Sequence, residues 1–183
     1  MDVSRRGWVL GFGLTTLAEI AAAQQHAHEA VQAGASSKLG ILDAAMAADL
    51  EALTAQIIPS DDGPGAREAG VIYFIDRALG TFEADKRDAY EAGIKEIHTA
   101  RLKLFPNSHS VAALTVPQQI QLLRAVEKSA FFDLLRTHTI LGFVGSPSYG
   151  GNRGKVGWKH IGFDDRMSFQ PPFGYYDAEA GKR

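Results

Sequence analysis

Leu42-Asp43-Ala44-Ala45-Met46-Ala47-Ala48-Asp49-Leu50-Glu51-Ala52-Leu53-Thr54-Ala55-Gln56-Ile57-Ile58-Pro59 is the stretch that decides the fold. Leu42, Met46, Leu50, Leu53 and Ile57 fall at steps of three and four, so they line one side of an amphipathic helix. Pro59 stops it, because the residue before a proline avoids the helical region. The next residues, Ser60-Asp61-Asp62-Gly63-Pro64-Gly65, form a dense turn signal. Asp61 and Asp62 are expected to cap a following helix at Pro64 through its free N–H groups.

The same periodicity recurs downstream. Val71, Ile75, Ala78 and Phe82 predict one face of a second helix, with Ile72 and Leu79 beside them. Tyr90, Ile94, Ile97 and Leu104 predict a third, stopped at Pro106. Thr115-Val116-Pro117-Gln118 has the form of a helix start: a threonine cap, a proline in the first turn and a glutamine to complete a capping box. Ile120, Leu123 and Val126 line this fourth helix. Phe131, Leu134, Leu135, Thr139 and Phe143 predict a fifth, either separate from the fourth or continuous with it. No stretch alternates with period two, so the expected fold is all-α, a small bundle of about five helices over residues 41–145.

After Gly145 the periodicity ends. Residues 146–183 mix Gly and Pro with Tyr149, Trp158, Phe163, Phe169, Phe173, Tyr175 and Tyr176. This tail is too aromatic to stay solvated and too rich in breakers for a helix. It must pack on its own bundle, on another chain, or on both.

Composition removes several functions. A chain of 183 residues, 45% apolar and 22% charged, fits one ordinary globular domain. A net charge of -2 with no basic run gives no footprint for nucleic acid. With no cysteine there is no disulfide, thiolate nucleophile, iron–sulfur ligation or covalent haem attachment.

The N-terminus, Ser4-Arg5-Arg6-Gly7-Trp8-Val9-Leu10, precedes an uncharged stretch and then Ala21-Ala22-Ala23. A basic region, a short apolar region and small residues describe a secretory signal over residues 1–23. The paired Arg5 and Arg6 before apolar residues resemble a twin-arginine signal, which exports folded proteins to the periplasm. The apolar run is too short to span a bilayer, which takes about 20 residues. Residues 24–40, rich in Ala, Gln, His and Gly, read as a flexible linker.

No catalytic constellation emerges. His26 and His28 lie in the linker; His98, His109, His138 and His160 are isolated and read as surface or capping histidines, without the i+3 or i+4 partner of a helical metal site. Asp61-Asp62-Gly63 lacks the spacing of a calcium loop. Gly63-Pro64-Gly65 is not a dinucleotide-binding loop, and neither a nucleophile elbow nor HExxH occurs. The residues point to a binding protein, with no catalytic, metal or cofactor residue assigned.

Three stretches carry a likeness to a known family. They are Leu53-Thr54-Ala55-Gln56-Ile57-Ile58-Pro59-Ser60-Asp61-Asp62-Gly63-Pro64-Gly65-Ala66 leading into Gly70-Val71-Ile72-Tyr73-Phe74-Ile75-Asp76; Phe131-Phe132-Asp133-Leu134-Leu135-Arg136-Thr137-His138-Thr139-Ile140-Leu141-Gly142-Phe143; and Pro147-Ser148-Tyr149-Gly150-Gly151-Asn152-Arg153 with Gly157-Trp158-Lys159-His160-Ile161-Gly162-Phe163. With these, the chain resembles the gluconate 2-dehydrogenase subunit 3 family over residues 41–165. The resemblance implies a helical accessory subunit without a redox centre. Its partner would be a large FAD-dependent sugar or glycoside dehydrogenase of the glucose–methanol–choline type, which the small subunit stabilises and escorts during export. A c-type cytochrome often completes such complexes.

The candidate partner interface is then Tyr149, Asn152, Arg153, Trp158, Phe163, Phe169, Phe173, Tyr175 and Tyr176, since aromatics and arginine supply most interface energy. Trp158 has two readings, a pin that holds the tail on its own helices or a direct partner contact. Two other functions compete: a free-standing periplasmic binding or chaperone protein, and an enzyme using Asp61, Asp62 or a histidine with a metal.

Overall fold

The computed structural model describes residues 38–166, together with Ser168, Gly174 and Glu179. Among these residues the structure is helical, without strands. Helix α1 spans Ala44–Ile57, α2 Val71–Gly80, α3 Arg87–Leu104, α4 Val116–Val126, α5 Ala130–Val144 and α6 Val156–His160.

Local chemistry sets most of the boundaries. Asp43 caps α1 by accepting the Met46 N–H at 2.8 Å, and the helix closes at Ile58, before Pro59. Gln118 Oε1 accepts the Thr115 N–H at 2.9 Å, completing one half of the expected capping box at α4. Ser129 accepts the Phe132 N–H at 3.1 Å, so α5 has its own start and does not continue α4.

Leu50, Leu53, Ile75, Leu79, Ile97, Leu122 and Leu135 are buried at the centre of the bundle. Full burial of such a side chain contributes about 1.5–3 kcal/mol. Helix α2 packs along α5, α1 lies against both, and α3 and α4 form the other side. At Gly93 of α3 the Phe131 ring sits so close that a methyl group would collide with it, which draws α3 tightly onto α5.

Three expectations need correction. Helix α2 begins at Val71 and not at Pro64; Asp61 and Asp62 are exposed, and the turn is tied instead by Glu68, which accepts the Gly65 N–H at 2.8 Å and the Ser60 hydroxyl at 2.5 Å. Gly65 is locked under the Ile58 carbonyl, which delays the helix. Phe82 leaves the α2 stripe because the helix stops at Gly80, and its ring is 52% exposed. Finally, residues 146–163 do contain regular structure: two 3-10 turns and the short α6, folded onto the bundle.

Candidate partner-binding clamp

The segment from Gly145 to Phe163 forms a clamp over the start of α2 and the end of α5. Its centre is Asn152, wholly buried and in the left-handed region at φ 45°. Asparagine tolerates that conformation better than most residues because its amide bonds locally. Here the backbone N–H donates to the Gly142 carbonyl at 2.7 Å, and Nδ2 donates to the Gly145 carbonyl at 2.9 Å. Oδ1 accepts the Gly157 N–H at 2.9 Å, satisfying a free donor in the first turn of α6. Gly157 is required at this point, because a methyl group there would strike the Phe143 carbonyl oxygen.

The next residue reaches the other wall. Arg153 N–H donates to the Ala69 carbonyl at 3.0 Å, and its guanidinium lies 3.3 Å from the centre of the Tyr73 ring. Such stacking favours Arg through the ring quadrupole and its planar shape. Gly70, at φ 65°, lets the Arg153 side chain pass: a Cβ there would sit 2.6 Å from Arg153 Cδ. Trp158 Nε1–H donates to the Val144 carbonyl at 2.6 Å, and the Phe163 ring lies tilted against the indole at 5.0 Å between ring centres. His160 lies exposed over Gly63.

The three stretches singled out in the sequence therefore meet in one place. Gly70 and Tyr73 come from the first, with Ala69 just before Gly70, Gly142 and Phe143 from the second, and Asn152, Arg153, Gly157 and Trp158 from the third. The candidate interface residues divide accordingly. Tyr149 and Phe163 are about half exposed, Arg153 and Trp158 are partly buried, and Asn152 is internal. Asn152 is thus corrected from a contact residue to the staple that shapes the clamp. Phe169, Phe173, Tyr175 and Tyr176, like Arg5 and Arg6, lie outside the described residues.

A buried polar relay was not anticipated. His138, read as a surface or capping residue, is enclosed in the core. Its Nδ1 is 2.7 Å from the hydroxyl of buried Tyr90, and its Nε2 is 2.5 Å from Glu83 Oε2. This geometry suits a neutral imidazole that accepts from the phenol and donates to the carboxylate. Burial holds the His138 pKa below the ordinary histidine value, with the Glu83 carboxylate opposing that shift. Burial likewise pushes the Tyr90 phenol far up. The signal was present: His138 falls three residues after Leu135 and seven after Phe131, inside the buried stripe of α5.

Two further carboxylates are used internally. Asp76 accepts the backbone N–H groups of Gly40, Ile41 and Leu42, each at 2.8 Å. Buried Asp49 accepts the Ala112 N–H at 2.8 Å and faces His98 Nε2 at 3.5 Å. Among the described residues no group of three or more His, Cys, Asp or Glu is placed to hold a metal ion, and no helix is long and apolar enough to cross a membrane.

With this geometry in view, comparison with known proteins is specific. The model of the family described as gluconate 2-dehydrogenase subunit 3 matches residues 44–165, well over half of the chain. The chain belongs to the gluconate 2-dehydrogenase subunit 3 family. That match runs from the first turn of α1 to just past the clamp, so it takes in the helical bundle and the clamp together. Membership makes the chain part of a dehydrogenase complex that has a separate catalytic subunit. No curated protein and no solved structure matched.

Proposed function

We propose that this chain is the non-catalytic small subunit of an FAD-dependent sugar or glycoside dehydrogenase of the glucose–methanol–choline type. It stabilises the catalytic subunit and carries it, folded, through the twin-arginine route to the periplasm, where a c-type cytochrome can accept the electrons. The observation that supports this reading is the family match, which spans the bundle and the clamp together. Clamp residues hold an aromatic-bearing segment against the helical scaffold. Rigid display of aromatic and arginine side chains is what a binding surface needs.

The paired Arg5 and Arg6 supply the export part of the proposal. Arg5→Lys combined with Arg6→Lys is expected to retain both this chain and the catalytic flavoprotein in the cytoplasm. Fractionation followed by flavin absorbance and dehydrogenase assay reads both. Normal periplasmic yield of the flavoprotein in this double variant would overturn the escort role.

A further inference from the structure

We propose that the Asp62–Gly63 pair is a site of spontaneous covalent modification, at which the main chain is rerouted through the Asp62 side chain, and that this change loosens α6 from the turn on which it sits. The inference stands apart from the proposed function.

The step needs a carboxyl group that can swing onto the nitrogen of the next residue. That nitrogen must be neither shielded by a side chain nor committed to a hydrogen bond. The sequence holds one Asp-Gly pair and no Asn-Gly pair. The structure places it in the bend between α1 and α2, outside any helix, with Asp62 exposed. Glycine has no Cβ to hinder approach to its nitrogen and the widest choice of backbone angles. Asp61 spends a carboxylate oxygen on the Asp62 N–H at 2.9 Å. Among the described residues the Asp62 carboxylate has no hydrogen-bond or ion-pair partner, and the Gly63 N–H donates to no carbonyl. Other positions lack one requirement or another. Asp49, Asp76 and Asp133 lie inside helices, where the following N–H is bound to the carbonyl four residues back. Asn107 is exposed in a turn, yet the Ser108 N–H after it donates to the Phe105 carbonyl at 3.0 Å.

His160 accounts for the glycine. A Cβ on Gly63 would lie 2.6 Å from His160 Nδ1, and buried Phe143 meets the same imidazole edge to face at 6.1 Å between ring centres. The missing side chain therefore does two things. It seats the last residue of α6 on the turn, and it leaves the Gly63 nitrogen open to Asp62.

The bonds balance with water alone. The Gly63 nitrogen attacks Cγ of the protonated Asp62 carboxyl group. The N–H hydrogen and the carboxyl hydroxyl leave together as water, closing a five-membered succinimide. Water then reopens the ring. Where it breaks the bond between the Gly63 nitrogen and the Asp62 main-chain carbonyl carbon, the product is a β-linked aspartate of unchanged mass. The chain is then one methylene longer beneath the His160 ring.

The test incubates the purified full chain at neutral pH and physiological temperature, beside a synthetic peptide of residues 60–66. Electron-transfer mass spectrometry of digests locates β-linkages, and hydrogen exchange reads α6. The β-linkage should accumulate at Asp62 at a rate comparable to the peptide's, ahead of every other Asp and Asn in residues 38–166, through a species lighter by one water. In the converted chain, amide exchange across Val156–Ile161 should rise about fivefold or more. Asp62→Glu keeps the charge but cannot close the five-membered ring, so it should show neither change. A folded chain that stays unconverted while the peptide converts would overturn the site. Conversion without faster exchange in α6, or equally faster exchange in aged Asp62→Glu, would overturn the link between the turn and α6.

Discussion

Replacing Asn152 by alanine should open the clamp while leaving the helices intact. Two side-chain hydrogen bonds are lost, the donation to the Gly145 carbonyl and the acceptance from the Gly157 N–H, both at 2.9 Å. Gly157 is buried, so its N–H is left without a partner and without water. An unsatisfied buried group costs about 1–3 kcal/mol. Alanine must also hold φ near 45°, which adds about 1–2 kcal/mol because its Cβ crowds the following carbonyl. Together these predict a loss of about 2–5 kcal/mol. For a chain of this size, each kcal/mol lowers the melting temperature by about 2–4 °C, so Asn152→Ala should melt roughly 4–20 °C lower. Asn152→Gly separates the two contributions, since glycine adopts the left-handed conformation freely but makes neither bond. It should recover about 1 kcal/mol of the loss. The assay is thermal unfolding followed by far-ultraviolet circular dichroism on the free subunit. A fall below 2 °C for Asn152→Ala, or alanine more stable than glycine, would refute the reasoning that this residue staples the fold.

Two further outcomes follow from the same geometry. Because burial holds the His138 pKa below the ordinary value of 6.5, the unfolded chain takes up a proton first as pH falls. Stability is therefore full above that value and declines as the pH drops below it toward the folded pKa. Melting temperature should fall as the pH drops below about 6.5, and His138→Gln should flatten that part of the profile even if it lowers stability throughout. An unchanged slope in the variant would remove His138 as the cause. Trp158→Ala should destabilise the free subunit by about 2–4 kcal/mol, through lost packing and an unpaired Val144 carbonyl, while affinity for the flavoprotein stays the same. Lost affinity with an unchanged melting temperature would return Trp158 to the interface.

The helices were legible because each depends on residues a few positions apart. The stripe from Met46 to Ile57 is visible without the fold, and so are Pro59, Pro106 and the Thr115–Gln118 box. The clamp was not legible, although most of its residues were singled out. Arg153 bonds to Ala69, and Asp76 to Gly40 through Leu42, across separations that no local pattern encodes. Asn152 illustrates the difference. In sequence it sits among glycines beside an arginine and reads as an exposed loop residue, yet its amide is satisfied by backbone groups on both sides of the chain. The tail was expected to be aperiodic, but one short helix forms in it because Asn152 meets the Gly157 N–H. His138 was the opposite case, since its place in the α5 stripe already argued for burial.

The three N–H groups that grip Asp76 also decide how the body responds to being pulled. Traction applied to the N-terminal segment reaches the folded domain at Gly40–Leu42, before it reaches α1. There the load falls on three short hydrogen bonds sharing one carboxylate, anchored in the middle of α2, the helix that packs along α5. All three would have to break before α1 could be drawn off, so the pull is passed to α2 before α1 is disturbed.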